Sequence, residues 1–304
     1  VMITASHNTF EYNGLKFFNS DGFKISNKLE KQIENIVLNK SKYSKIINTE
    51  VITGKAIRLD DASGRYSEFL KGTLDKKIKI KKLKIVLDCG NGATYDIAPS
   101  ILWELGHDVV SINNHPNGKN INKNCGAVNV NQLRIKVVDE KADLGLAFDG
   151  DGDRIIVVDE KGNEIDGDKI IALFAKHLIK RKKNISKFPV IATVMSNLGL
   201  EKYLLNKLNI KLKRSSVGDI NVIQEMQKYG SPLGGEQSGH IILSEFSKTG
   251  DGILAALKII EIISQLKKPC SSIFDLYDDF PQVKIDIPFK KITKKTEKYV
   301  KDLN

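Results

Sequence analysis

Apolar residues fall into two kinds of run along this chain, and the two kinds alternate. Short β-branched blocks read as strands, and longer blocks with apolar residues at helical spacing read as helices. Lys84–Asp88 (KIVLD) reads as a buried strand, followed by the turn CGNGA, a helix over Tyr95–Leu105 and a strand over Val109–Ile112. Leu144–Phe148 and Ile155–Val158 are strands flanking an acidic loop, and GNEIDGD then leads into a helix over Lys169–Leu178. The cycle restarts with a strand at Val190–Val194, a helix at Gly199–Lys207, a strand at Ile210–Arg214 and a helix at Ile220–Gln227. A strand at Ile241–Leu243 and a long helix at Gly252–Ser264 close it. Such alternation predicts successive α/β domains whose sheets are mixed but mainly parallel.

Boundaries are expected near 65–80, 165–185 and 275–285. The chain opens on VMITA, already strand-like, and closes on one strand (VKIDI, 283–287) and one helix (KKTEKYVKDL, 294–303), too little to close a core. It is therefore expected to enter and leave in mid-domain.

Composition changes this picture little. With 304 residues and 41% hydrophobic content, about two domains or more have enough material for a core. No apolar run approaches the roughly 18 residues of a membrane span, and no signal segment opens the chain, so no membrane partner is expected. Cys89, Cys125 and Cys270 are far apart and form no CxxC pair, which fits a reducing cytoplasm better than a disulfide framework or a zinc site. A net charge of +11 raises the question of nucleic acid. The charge is mostly lysine, however, and the basic runs at 74–84, 180–183 and 290–295 lie near expected boundaries without interleaved aromatics. Solvated surface lysine is the reading, and no nucleic-acid partner is expected. Oligomeric state is not legible.

The candidate chemistry starts at AFDGDGDRIIVVD, Ala147–Asp159. Asp149, Asp151 and Asp153 alternate with glycines, and Arg154 follows. A plain Gly/Asp turn between strands is one reading, but three neighbouring carboxylates repel unless a cation is present. An EF-hand is a second, with Glu160 at its last position; Arg154 stands where the turn needs glycine, and strand-like flanks stand where helices belong. The third is a Mg²⁺ site for phosphoryl transfer, with hard oxygen ligands on one ion and Arg154 gripping phosphate oxygens. That reading needs a phosphate carrier elsewhere.

Ser6-His7 in ITASHNTFEYNGLKF (Ile3–Phe17), with Lys16 beyond, offers one; alone it would be a surface turn. Gly234-Gly-Glu-Gln-Ser-Gly-His240 and Lys248-Thr-Gly-Asp-Gly252 follow in order. The CGNGA turn lacks the third glycine of a dinucleotide loop and reads as structural.

These four elements together resemble the α-D-phosphohexomutase family, closest to its bacterial phosphoglucosamine branch. The phosphoserine loop matches at Thr4–Asn8 and Asn13–Lys16, the metal loop at 149–154 and the sugar loop at 235–240. DCGNGATYDIAP (88–99), PNGKNIN (116–122), CGA (125–127), KADLGLAFDGDGDR (141–154) and MSNLGLE (195–201) also read like that branch. The resemblance implies a three-layer α/β/α domain plan. The expected domains are 1–70 with the phosphoserine loop, 71–165 with the metal loop, 166–280 with the sugar loop, and 281–304 as the start of a truncated fourth.

It further implies that phosphorylated Ser6 exchanges its phosphoryl group with a phosphosugar substrate through a sugar 1,6-bisphosphate. The net reaction would be glucosamine 6-phosphate ⇌ glucosamine 1-phosphate, feeding amino-sugar nucleotides to the cell wall. Ser6, Asp149, Asp151 and Asp153 would hold one Mg²⁺; His7, Lys16 and Arg154 would be catalytic. Gly235, Glu236, Ser238 and His240 would bind sugar, with His240, like His7, a candidate acid/base or orienting group. Either histidine read alone is equally a structural residue. The chain departs from the family at Thr9, where proline is usual, and at Ser216, where lysine is common. Gln237 stands where phosphomannomutases and phosphoglucomutases more often carry methionine. Those activities, or a non-catalytic metal-binding fragment, are the alternatives. The chain alone is expected to turn over weakly, because the family's phosphate-gripping fourth domain is nearly all beyond it.

Overall fold

The computed structural model of the protein describes residues 1–47, 54–181 and 187–283. The strand and helix expected beyond residue 283 lie outside the described residues, as do the basic run at 290–295 and the end of the run at 180–183.

The first block is small. β1 (Met2–Thr4) and β2 (Gly14–Lys16) pair antiparallel with Ile3 opposite Leu15, and the Ser6 loop hangs between them. α1 (Asn27–Leu38) starts at Ser26, whose hydroxyl accepts from the Leu29 N–H at 3.3 Å, and buries no residue; α2 (Lys40–Ile47) follows. α3 (Ala62–Gly72) leaves this block and buries Leu70 in a core shared by the rest of the chain.

The second block holds β3 (Lys84–Asp88), α4 (Ile97–Glu104), β4 (Asp108–Ile112), α5 (Asn131–Asp139), β5 (Leu144–Phe148), β6 (Ile155–Asp159) and β7 (Glu164–Ile165). Its strand order is β4-β3-β5-β6-β7, with β4, β3 and β5 parallel and β6 and β7 antiparallel. The antiparallel edge follows from the acidic loop: a connection of six residues, 149–154, returns the chain as a hairpin and is too short for a crossover.

The third block starts with α6 (Gly167–Arg181) and runs through β8 (Val190–Thr193), α7 (Leu198–Leu208), β9 (Leu212–Ser215), α8 (Asp219–Tyr229), β10 (Leu233–Gly235), β11 (Ile241–Leu243), α9 (Gly252–Leu266) and α10 (Cys270–Phe274). Its order is β11-β10-β8-β9, parallel except at β11. Both sheets are thus parallel at their centres and antiparallel at an edge, and both direct loops from their carboxyl ends into the site, as open α/β sheets do.

α9 explains how the second and third blocks share a core. Every residue from Gly252 to Ser264 is buried, so this helix is covered all round. One cluster runs from Ile85, Leu146 and Phe148 through Ile155 to Ile170, Leu254 and Leu257. The two charged residues within α9 are paired. Lys258 pairs with Glu261 Oε2 at 3.0 Å and reaches the Thr73 carbonyl, and the same Oε2 accepts from the Asp75 N–H at 3.1 Å, while Glu261 Oε1 makes no hydrogen bond and lies 3.8 Å from the Arg181 guanidinium.

Candidate active site

Ser6 sits in the left-handed region, φ 53°, which a residue with a Cβ adopts only when its surroundings hold it there. They do. The Thr4 hydroxyl accepts from the Ser6 N–H at 2.7 Å and donates to Asp151 Oδ2 at 3.3 Å. Asn122 Nδ2 donates to the Ser6 and Asn8 carbonyls, both at 2.8 Å. The serine loop is therefore pinned to the second block on two sides. Gly150 lets it come so close: a Cβ there would stand 2.6 Å from the Ser6 carbonyl oxygen.

Lys16, at the end of β2, links serine and acid. Its Nζ donates to Ser6 Oγ at 3.3 Å and to Asp151 Oδ2 at 2.5 Å, and lies 3.6 Å from Asp153. Burial pulls its pKa down, but the bond to Asp151 and the charges of Asp151 and Asp153 outweigh that, and the ammonium titrates above its usual range.

Asp149, Asp151 and Asp153 bring one carboxylate oxygen each within 4.8 Å of one another. Arg154 N–H donates to Asp149 Oδ1 at 3.0 Å. Burial, then the charges of Asp153 and Asp151, push Asp149 well above the usual carboxylate range. Asp153 is pushed up by burial too, but His240, Lys16 and Arg154 together hold it below that range. Asp149 Oδ2, Asp151 Oδ1 and Asp153 Oδ1 are buried without a hydrogen-bond partner. Three converging orphaned oxygens, one from each aspartate, fit a hard divalent cation, because leaving buried acceptors unpaired is costly. The flanks of the loop are β5 and β6, so the EF-hand reading fails on structure as it did on sequence.

The loop after β10 meets the acidic loop edge to edge. Arg154 and His240 form an antiparallel bridge, and the Ile155 N–H donates to the Gly239 carbonyl at 3.0 Å. His240 is buried; its Nε2 accepts from Gly250 N–H at 3.2 Å and its Nδ1 faces Asp153 at 3.5 Å. Both ring nitrogens thus face protein groups. Glu236 Oε1 accepts from Gly218 N–H at 3.0 Å, while Ser238 is exposed and Gly235 is buried in β10.

His7 Nδ1 is buried without a partner, and burial, then the Arg154 charge, lower its pKa so that the imidazole is neutral at pH 7. A cavity of about 490 Å³ opens beside Asp151, lined by Thr4, Phe10, Asn13, Tyr95 and Ile121, within the size range of small-ligand sites.

Ser6, Lys16, the three aspartates, Arg154 and His240 thus come together, and Glu236 and Ser238 stand on the loop bridged to them. Thr4 and Asn122 were not singled out from sequence. PNGKNIN was noted as a stretch, but nothing in it marks Asn122 as the residue that reaches the serine loop.

The chain matches the descriptions "Phosphoglucomutase/phosphomannomutase, alpha/beta/alpha domain I" over residues 1–44, domain II over 64–162 and domain III over 166–280. It is 46% identical over 291 residues to a phosphoglucosamine mutase of Parvibaculum lavamentivorans, covering 96% of this chain and 64% of that protein. A phosphoglucosamine mutase of Zymomonas mobilis subsp. mobilis is 46% identical over 284 residues, 93% of this chain and 62% of the relative. The chain therefore spans less than two thirds of these relatives.

Among solved structures, a phosphoglucomutase/phosphomannomutase family protein of Burkholderia thailandensis has a TM-score of 0.75 at 24% identity, covering 90% of this chain and 57% of that one. Aspergillus fumigatus N-acetylphosphoglucosamine mutase, in complex with GlcNAc-6P and magnesium, has a TM-score of 0.68 at 18% identity, covering 92% and 73%. At these identities the structures speak for the fold.

Proposed function

The chain belongs to the phosphoglucomutase/phosphomannomutase family, and from that premise we propose that it carries the catalytic centre of a phosphoglucosamine mutase, interconverting glucosamine 6-phosphate and glucosamine 1-phosphate. The observation that carries the reading is the contact of Ser6 Oγ with Lys16, which also reaches Asp151 and Asp153. A nucleophile, a cation and a metal-ready acid cluster meet there.

Ser6 would carry the phosphoryl group. Its backbone is fixed by Thr4 and Asn122, so the oxygen is held where it reacts and little ordering is left to the reaction. Lys16 and Arg154 would balance charge developing on the phosphoryl oxygens. Asp149, Asp151 and Asp153 would hold Mg²⁺, which when bound neutralises phosphate charge. His7, whose pKa is lowered by burial, would take the proton from the sugar hydroxyl that attacks the phosphoryl group. The bond from phosphorus to Ser6 Oγ breaks as the bond to the sugar oxygen forms, giving a sugar 1,6-bisphosphate. Return of the other phosphoryl group to Ser6 completes the isomerisation. Glu236 and Ser238 would bind sugar hydroxyls. Glucosamine is favoured over glucose or mannose by the relatives' identity and by Gln237.

Intact-mass and phosphopeptide measurement of the purified chain after exposure to a sugar bisphosphate tests the carrier. Phosphate is expected on Ser6 and lost in Ser6→Ala; incorporation unaffected by that change would count against the reading. Asp151→Asn is expected to weaken Mg²⁺ binding by about tenfold or more, since one ligand charge is lost. Tight Ca²⁺ binding without Mg²⁺ binding would overturn the metal assignment.

A further inference from the structure

Asp166 lies just before α6, outside every motif that pointed to the site, yet it touches the sugar loop. Its Oδ1 accepts from the Lys169 N–H at 3.1 Å, capping the first turn of α6. Its Oδ2 accepts from Gln237 Nε2 at 3.2 Å. The next residue adds a backbone tie: Gly167 N–H donates to the Gln237 carbonyl at 2.9 Å. Helix and loop are pressed together so closely that a Cβ on Gly167 would stand 2.0 Å from the Glu236 carbonyl oxygen. Gln237 is thus held on the α6 side of the loop. Its neighbour Glu236 uses Oε1 on a different partner, the Gly218 N–H that precedes α8.

We propose that Asp166 is a positioning residue for the sugar loop: by holding the Gln237 side chain against the first turn of α6, it sets the orientation of Glu236 and Ser238 toward the substrate. The inference rests on the proposed sugar-phosphate site. One carboxylate does two jobs, so the loop inherits the rigidity of a helix whose first two turns are buried except at Lys169. Gln237 sits in a tight turn, closed by the Gly239 N–H donating to the Glu236 carbonyl at 3.0 Å. With Gln237 fixed toward α6, the residues on either side of it are presented elsewhere.

The test swaps the polarity of the pair. Asp166→Asn keeps an acceptor for the Lys169 N–H, and Gln237 can turn its amide so that Oε1 accepts from the new NH₂, so this change alone keeps the tie. Gln237→Glu alone sets two carboxylates together. The double variant Asp166→Asn, Gln237→Glu restores one donor and one acceptor while keeping the cap. Gln237→Glu is expected to weaken glucosamine 6-phosphate binding about tenfold, read by calorimetry, with Mg²⁺ affinity unchanged; Asp166→Asn is expected to leave binding within about twofold, and the double variant to recover most of the loss. A double variant as weak as Gln237→Glu, unchanged binding in Gln237→Glu, or a parallel loss of Mg²⁺ affinity would overturn the proposal.

Hydrogen exchange at the Glu236–Gly239 amides in the ligand-free protein gives a second readout. Exchange is expected to quicken in Gln237→Glu and slow again in the double variant, and unchanged exchange in Gln237→Glu would overturn the proposal as well. This readout holds even if the unaltered chain fails to bind glucosamine 6-phosphate, a result that would count against the proposed function instead.

Discussion

At the scale of single residues, the site depends on close approach as much as on reactive groups. Ser6 and the acidic loop are far apart in sequence and touch only because Gly150 has no side chain. In Gly150→Ala the new methyl group would meet the Ser6 carbonyl and the Asn122 amide, each at 2.6 Å, and one of them must move. We expect a loss of about 1–3 kcal/mol in stability, typical of overpacking, and a larger loss of Ser6 phosphorylation, because the nucleophile shifts relative to Asp151. Denaturant unfolding alongside phosphopeptide analysis checks both; full phosphorylation in a stable variant would refute the close-approach argument. The chemistry-bearing residues were legible because their types and spacing have few other uses. Thr4 and Asn122 were not, because their roles come from partners 147 and 116 residues away.

At the scale of elements, α6 is the piece that joins the sugar loop to the core, and its first turn holds a buried charge. Asp168 is fully buried, and its Oδ2 accepts from the Asn197 N–H at 2.7 Å. Burial raises its pKa from 3.8 to about 6. A raised carboxyl favours the folded state in its protonated form. That contribution is complete below about pH 4 and is lost as pH rises through about 6. Holding the carboxylate ionised at pH 7 costs roughly 3 kcal/mol relative to the acid form. Asp168→Asn keeps the acceptor and removes the titration. Unfolding free energies measured from pH 4 to pH 7 are expected to shift in the variant's favour by about that amount; a constant difference across the range would refute the assignment. α7 and α9 were legible within a residue or two, since they carry caps at Asn197 and Asp251 and continuous apolar faces, whereas α6 runs two residues earlier and three later than expected. α5 was missed, with its β-branched pair Val137 and Val138 diluting the helical pattern. β10 was missed because Leu-Gly-Gly has no strand propensity. It is a strand because β8 and β11 pair with it, and because a Cβ on Gly234 would stand 2.5 Å from Met226 Sδ.

At the scale of the whole molecule, the first block buries little of its own and is held by polar ties to the second, through Thr4, Lys16 and Asn122, and to the third. Lys24 pairs with Asp219 at the start of α8, and Lys248 Nζ donates to the Asp21 carbonyl at 2.7 Å. The Lys24–Asp219 pair is partly exposed, at 23% and 19%. Its removal in Lys24→Met is expected to cost no more than about 1 kcal/mol in global stability. Local opening of the first block is expected to increase more, because few apolar contacts oppose it. Limited proteolysis within residues 17–47 is the measurement; a variant that unfolds at the same denaturant concentration but is cut faster there supports this, and an unchanged cutting rate refutes it.

The sequence by itself determined the class of fold, most of the alternation of strands and helices from Lys84 to Leu266, with α5 and β10 the exceptions, and the four loops singled out as candidates for chemistry. Each of those is written locally: a period of apolar positions, a cap, or a run of residues such as Asp-Gly-Asp-Gly-Asp-Arg whose mutual repulsion needs a cation. Tertiary structure decided which side chains those loops meet. It placed Lys16 between serine and acid, turned His240 toward Asp153, fixed Ser6 through Asn122 and set Asp166 against Gln237. These contacts join residues distant in the chain, and their strength comes from burial and geometry that exist only after the sheets have packed around α9.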